Sequence, residues 1–212
     1  MSLDAIGALH EPLRRAVYEQ AVAAGEPVSR NDVADALGIG RTLAAHHLDK
    51  LAEAGLLDVS FARLTGRTGP GAGRPAKLYR RASTEHALSL PPRDYKVLAE
   101  VMADAVESAG AEEALYAAAR RRGERARIEG ASPVHLLKDL GYEPVIEGAT
   151  VRLRNCPFDG VARSHPPLVC GANLAFIEGA LDRPARLDPR SEGCCVVIDL
   201  LKTTDVDIES PA

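Results

Sequence analysis

Residues 29–54 read SRNDVADALGIGRTLAAHHLDKLAEA, and this stretch decides the fold of the first part of the chain. Ser29 is followed three positions later by Asp32, a spacing typical of a capped helix start, so a short helix is expected there. Residues 38–40 (Gly-Ile-Gly) break that helix, and helical spacing of apolar residues resumes over 41–54. A short helix, a glycine turn and a longer helix are typical of a helix-turn-helix motif, whose second helix enters the major groove of DNA.

The flanking sequence extends this motif to a winged helix. A helix over 11–24 precedes it, and two strands are predicted over 56–64 and 76–81. Between the strands, residues 65–75 are rich in Gly and Pro, which indicates a loop at the tip of a β-hairpin. We therefore predict a winged helix-turn-helix domain over residues 1–82.

The candidate DNA-reading residues lie at the start and on the outer face of the second helix of the motif. Its inner face carries Ala44, Leu48 and Leu51, and His47 is expected to be a partly buried packing residue. The side chains predicted to face the major groove are Arg41, Thr42, Ala45, His46 and Lys50.

The distribution of charge along the chain predicts a second candidate contact with DNA. The chain carries a net charge of −4, but residues 60–82 carry six basic side chains and no acidic one. Charge alone is compatible with a polyanion contact and with a solvated basic loop. In the context of a wing, we predict that Arg67 and Arg74 contact the DNA backbone or the minor groove.

The rest of the chain predicts two further regions and an α+β fold class overall. Residues 83–130 are expected to form a helical linker and dimerisation region, whose first helix (92–108) is apolar enough to pack on a partner subunit. Residues 131–212 are expected to form an α+β sensor domain. Its predicted elements are a helix at 133–140, strands at 143–146 and 150–154, a helix at 169–181 and a strand at 194–201.

Composition and missing motifs exclude several classes. Hydrophobic residues make up 46% of the 212 residues and charged residues 26%, which is ordinary globular usage. The chain has no run of 18 apolar residues and no secretory signal at its start, so we expect a cytoplasmic protein without a membrane span. It has no Gly-x-Ser-x-Gly or His-Glu-x-x-His motif, so we expect no enzymatic activity.

All four cysteines lie in the last third of the chain, at positions 156, 170, 194 and 195. In a reducing compartment, clustered cysteines indicate metal, cluster or redox chemistry more often than disulfides. Cys194 and Cys195 are neighbours on a predicted strand and should point to opposite faces, so one of them joins Cys156 and Cys170. A fourth ligand would be His165, a carboxylate or an external group. The spacing is equally compatible with four cysteines that serve as small buried hydrophobic residues.

Five motifs together resemble one group of bacterial proteins, the ArsR-like winged-helix transcriptional regulators that include the SufR-type repressors of iron–sulfur assembly operons. The resemblance covers roughly residues 10–200. The motifs are Gly73-Arg74-Pro75-Ala76-Lys77-Leu78-Tyr79, Leu140-Gly141-Tyr142-Glu143-Pro144, Leu153-Arg154-Asn155-Cys156-Pro157-Phe158, His165-Pro166-Pro167-Leu168-Val169-Cys170-Gly171 and Gly193-Cys194-Cys195-Val196.

The resemblance implies a homodimer that binds a double-stranded DNA operator and whose C-terminal cysteines hold an iron–sulfur cluster that modulates operator affinity. The implied cluster ligands are Cys156, Cys170 and one of Cys194 and Cys195. The alternative is the same winged-helix regulator with a metal-free C-terminal domain that senses a small molecule or thiol oxidation.

Overall fold

The computed structural model describes residues 2–63, 75–190 and 193–200. The chain divides into two compact units, residues 1–93 and 94–212. Each unit combines helices with an antiparallel sheet, so the predicted α+β fold class is confirmed. No helix within the described ranges is both long and apolar enough to cross a membrane.

The first unit is a winged helix-turn-helix. Its helices are α1 (Ser2–Ala8), α2 (Pro12–Ala24), α3 (Arg30–Leu37) and α4 (Arg41–Glu53), and its strands are β1 (Val28–Ser29), β2 (Leu57–Ala62) and β3 (Ala76–Arg81). The strand order is β1-β3-β2 with antiparallel pairing, and Val28 lies opposite Tyr79. Helices α2 to α4 and the β2–β3 hairpin match the sequence prediction, whereas α1 and β1 were not expected.

Local signals explain the helix boundaries of this unit. Ser29 accepts hydrogen bonds from the backbone of Asn31 and Asp32, and the Asp32 carboxylate accepts one from the Ser29 backbone, so the predicted capping box is present. Leu48 and Leu51 of α4 are fully buried, as is Ala44, and His47 is only 6% exposed. The predicted inner face of α4 is therefore confirmed.

The second unit is a helix layer on a four-stranded sheet. Its helices are α5 (Tyr95–Ala109), α6 (Glu112–Ala126), α7 (Pro133–Asp139), α8 (Asp159–Ala162) and α9 (Pro166–Leu181). Its strands are β4 (Pro144–Glu147), β5 (Thr150–Leu153), β6 (Ala185–Leu187) and β7 (Val196–Asp199), in the order β4-β5-β7-β6. The elements α8 and β6 were not predicted. The helix predicted from residue 169 begins at Pro166, because a proline is well tolerated in a first helical turn.

Helices α5 and α6, predicted to lie in a separate linker region, belong to the second unit, where α6 packs along α9. The backbones of α6 and α9 touch where both carry glycine. A methyl group on Gly123 would overlap the Phe176 carbonyl, and one on Gly179 would overlap the Arg120 carbonyl. This close approach requires the absence of a side chain at both positions.

We expect Gly123→Ala to lower the free energy of unfolding of the second unit by at least about 1–3 kcal/mol, the usual cost of overpacking, because the added methyl meets backbone rather than a movable side chain. Urea unfolding followed by circular dichroism measures this loss. Gly7→Ala in α1 is the control, since nothing lies within 4 Å of the added methyl there. Equal stability of Gly123→Ala and the wild type would contradict the close contact.

Candidate nucleic-acid interface and thiol cluster

The outer face of α4 presents the residues predicted to read DNA. Arg41, Thr42, His46 and Lys50 are exposed, and Ala45 is half-buried. Thr42, Ala45, His46 and Lys50 lie away from the buried side of the helix, and Arg41 is exposed at its N-terminus. The Lys50 ammonium lies 2.7 Å from the Glu53 carboxylate, so its charge is partly engaged within α4.

An interaction that the sequence did not predict ties α4 to the wing. The Asp49 carboxylate accepts hydrogen bonds from the Lys77 ammonium at 2.5 Å and from the Tyr79 hydroxyl at 2.7 Å. The Lys77 bond holds the pKa of Asp49 below its usual range. Lys77 and Tyr79 are two residues apart on β3 and therefore share a face of the strand, which is the one sequence signal for this contact.

The Asp49 contacts have two consequences for a DNA-binding surface. They fix the rotation of α4 relative to β3, the strand that leads out of the wing loop. They also pair a carboxylate on the outer part of α4 with an ammonium group, which reduces its repulsion of phosphate. The wing arginines Arg67 and Arg74 lie outside the described residues, so their contacts remain predictions.

Comparison with known families agrees with this geometry. Residues 9–60 match the model of a family described as a helix-turn-helix domain. The chain is a DNA-binding transcriptional regulator. A comparison with curated proteins finds no match. The matched segment ends within β2, so it covers part of the first unit and none of the second.

The second unit brings two of the predicted thiols together. Cys156 follows β5 by three residues, and Cys194 precedes β7 by two. The Cys156 thiol hydrogen-bonds to Cys194, and this bond together with burial raises the pKa of Cys156. The same bond lowers the pKa of Cys194, but a contact with the Cys195 thiol and burial outweigh it and raise that pKa to about 11.

The strand predicted over 194–201 begins at Val196, so Cys194 and Cys195 lie just before it. The two thiols interact with each other. They differ in burial, since Cys194 is 5% exposed and Cys195 is half-buried.

A buried chain of polar groups leads to Cys194. The Tyr142 hydroxyl donates to the Asn173 side-chain oxygen at 2.5 Å, and the Asn173 amide nitrogen donates to the Cys194 sulfur at 3.1 Å. The backbone N–H of Val196 also lies 3.5 Å from that sulfur. Asn173 was not predicted, because a single Asn inside an apolar helix carries no signal of its distant partner.

Cys170 is not among the described residues that pack on the core cluster containing Cys194, whereas Cys156 and Cys195 are. It lies on α9 three residues before Asn173, so the two share a helix face and are separated by about 4.5 Å along the axis. Among the described residues, the thiols of Cys156, Cys170 and Cys194 do not all lie within 4.8 Å of one another. The structure therefore brings Cys156 and Cys194 together and does not place Cys170 in one tight cluster with them.

His165, the predicted optional fourth ligand, faces elsewhere in this structure. It occupies the N-cap position of α9, and its two ring nitrogens lie near carboxylates of α5. Glu107 lies 2.9 Å from Nδ1, and Asp104 lies 3.8 Å from Nε2. The structure thus gives His165 partners other than the cysteines.

For the DNA interface, we expect Thr42→Ala and His46→Ala each to reduce the preference for operator over random duplex by about 1–3 kcal/mol, the value of a base-edge contact. Both side chains are exposed on the outer face of α4, so the substitutions should leave the fold intact. Competition binding with both duplexes measures the ratio. Glu19→Gln, on the exposed side of α2, is the control, and unchanged ratios in both α4 variants would show that α4 does not read the sequence.

Proposed function

We propose that the chain is a homodimeric repressor of the SufR type. Each subunit binds half of a double-stranded DNA operator through the outer face of α4 and the wing, and each second unit holds an iron–sulfur cluster that modulates operator affinity. The observation that carries the DNA-binding part is the exposed outer face of α4, tied to β3 by Asp49. The observation that supports the cluster is that Cys156 packs on the buried core cluster that contains Cys194.

The chemistry of the donor set fits an iron–sulfur cluster. Thiolates are the ligands that iron–sulfur clusters require, and N–H groups directed at the ligand sulfurs stabilise their negative charge. Cys194 has two such donors, the Asn173 amide and the Val196 backbone. We assign Cys194 rather than Cys195 as the third ligand, because Cys194 is the more buried of the two and receives these bonds.

The sequence spacing of the cysteines favours an iron–sulfur cluster over a structural zinc ion. Most structural zinc sites contain a tight Cys-x-x-Cys pair, and Cys156, Cys170 and Cys194 are not spaced in that way.

The metal-free thiol-redox alternative is less well supported. Redox-sensing cysteines react as thiolates and have lowered pKa values. The pKa values of Cys156 and Cys194 are raised, so without a metal both remain protonated thiols at neutral pH. Cluster binding must displace these protons, and we infer that cluster assembly is favoured as the pH rises toward the pKa of Cys194.

The chain itself performs the sensing step in this proposal. Cys156 lies in the loop after β5, Cys170 lies on α9, and Cys194 lies just before β7. When bound, the cluster supplies covalent ligation between these three segments. The segments would then be held as one rigid body, and the loss of that restraint is what would alter operator affinity.

The dimer part of the proposal rests on α5. Its exposed large apolar side chains include Leu98, Val101 and Met102, each more than half exposed. Together with Ala105 they follow the i, i+3, i+4, i+7 spacing of one helix face, which we call the α5 stripe. The opposite side of α5 faces its own unit through Ala103, which is 7% exposed.

We propose that the α5 stripe packs against a second copy of this chain. A regulator that reads a two-fold symmetric operator needs a two-fold axis, and one stripe packed on its symmetry mate provides it. Full burial of an exposed side chain such as Leu or Met contributes about 1.5–3 kcal/mol, and Leu98, Val101 and Met102 are 51–58% exposed, so each contributes about half of that when it packs on a second copy.

For the cluster, we expect Cys156→Ser, Cys170→Ser and Cys194→Ser, each purified without oxygen, to lose the visible absorption and the bound iron and sulfide of the wild type. Cys195→Ser is the matched control and should keep them. Iron and sulfide analysis with operator binding measures both effects. Wild-type iron content and operator affinity in Cys156→Ser would contradict the cluster and favour cysteines that serve only as packing residues.

For the dimer, we expect Val101→Glu to convert the chain to a monomer, since two carboxylates would meet across the two-fold axis. Light scattering coupled to size-exclusion chromatography measures the mass. Ile146→Glu, at a similarly exposed position on β4, is the control and should remain dimeric. A Val101→Glu dimer, or a wild-type monomer, would contradict the assignment of α5 as the interface.

A further inference from the structure

A second group of potential metal ligands lies in the second unit, away from the contacting thiols. Asp104 and Glu107 are three residues apart on α5 and share one face of it. His165 stands at the N-cap of α9 with its side chain nine-tenths buried. One ligand atom of each residue lies within 4.8 Å of the others, and this is the one such trio among the described residues.

The hydrogen bond of the His165 imidazole determines which ring nitrogen is available to bind a metal ion. Nδ1 lies 2.9 Å from a Glu107 carboxylate oxygen, which only accepts hydrogen bonds, so Nδ1–H is the donor. In a neutral ring the lone pair then lies on Nε2. A carboxylate that receives Nδ1–H while Nε2 stays open is the usual arrangement around a metal-binding histidine.

The second observation is the distance between His165 Nε2 and the Asp104 carboxylate. Asp104 Oδ1 lies 3.8 Å from Nε2, which is too long for a hydrogen bond. Two donor atoms, each about 2.0–2.2 Å from one metal ion, lie up to about 4.2 Å apart, so the observed gap fits an ion between them. No hydrogen bond to Nε2 is found within the described part of the chain.

We propose that His165 Nε2 and Asp104 bind a divalent transition-metal ion and that Glu107 orients the imidazole. The ligand class is a divalent ion such as Zn²⁺, which imidazole suits, or Mn²⁺, which carboxylate suits, and no thiol takes part. The Asp104 side chain is 74% exposed, so water has access to complete the coordination sphere.

The bound ion would act as a cross-link within the second unit. It joins the polar face of α5 to the N-cap residue of α9, where Glu107 and His165 are 58 residues apart in sequence. Cross-linking that face keeps the α5 stripe directed away from its own unit. This inference does not depend on the iron–sulfur cluster, which uses other residues.

The test is titration of Mn²⁺ into the metal-free full-length chain, followed by electron paramagnetic resonance. Mn²⁺ is the probe because it prefers oxygen and nitrogen ligands to thiolates. We expect one Mn²⁺ per chain, coupling to an imidazole nitrogen, displacement by Zn²⁺, and a rise in the thermal midpoint. Asp104→Asn should weaken binding at least about tenfold, and Glu107→Gln about 10–100-fold, the usual effect of removing an orienting carboxylate.

Two controls separate the outcomes. Glu113→Gln removes one carboxylate from the first turn of α6 and should bind Mn²⁺ like the wild type, as should Cys156→Ser. Asp104 is exposed, so Asp104→Asn should fold normally, which circular dichroism checks. Absence of binding to the wild type, or equal affinity in Asp104→Asn, would overturn the proposal and leave His165 as an ion-pair partner of two carboxylates only.

Discussion

The backbone contact between α6 and α9 is the constraint on which the second unit depends. Gly123 and Gly179 allow the two helices to approach until backbone meets backbone, so α9 has little freedom to rotate or slide. Helix α9 in turn fixes the positions of several functional candidates in this unit. It carries His165 at its start, Cys170 after one turn and Asn173 after two. The close contact of α6 with α9 thus positions His165, Cys170 and Asn173, although none of the three lies on α6.

In the first unit, a polar contact fixes the orientation of a helix. The core residues Leu48 and Leu51 hold the inner side of α4, but an apolar core alone tolerates small rotations of a helix. The hydrogen bonds of Asp49 to Lys77 and Tyr79 have directions, and they connect α4 to the strand leaving the wing. Because DNA recognition requires the helix and the wing in a fixed relation, a directional bond between them is more useful than additional buried area.

The sequence predicted what depends on local signals and missed what depends on distant partners. The capping box at Ser29 and the apolar spacing of α4 are local, and both were predicted. The strand β1 has only two residues and exists because β3 pairs with it, so no periodicity reveals it. The Asn173 contact with Cys194 spans 21 residues and the Asp49 contact with Tyr79 spans 30. Periodicity identifies the apolar face of an element, but it does not identify the residue that covers it.

Helix α5 shows how these constraints combine. Its exposed stripe carries Leu98, Val101 and Met102, and on another part of the same helix Asp104 and Glu107 lie beside the buried imidazole of His165. Rotation of α5 to bury the stripe within its own unit would remove these carboxylates and leave a buried polar group unpaired, which costs about 1–3 kcal/mol. In the proposed dimer both requirements are met, because the partner subunit buries the α5 stripe and His165 keeps its carboxylate partners.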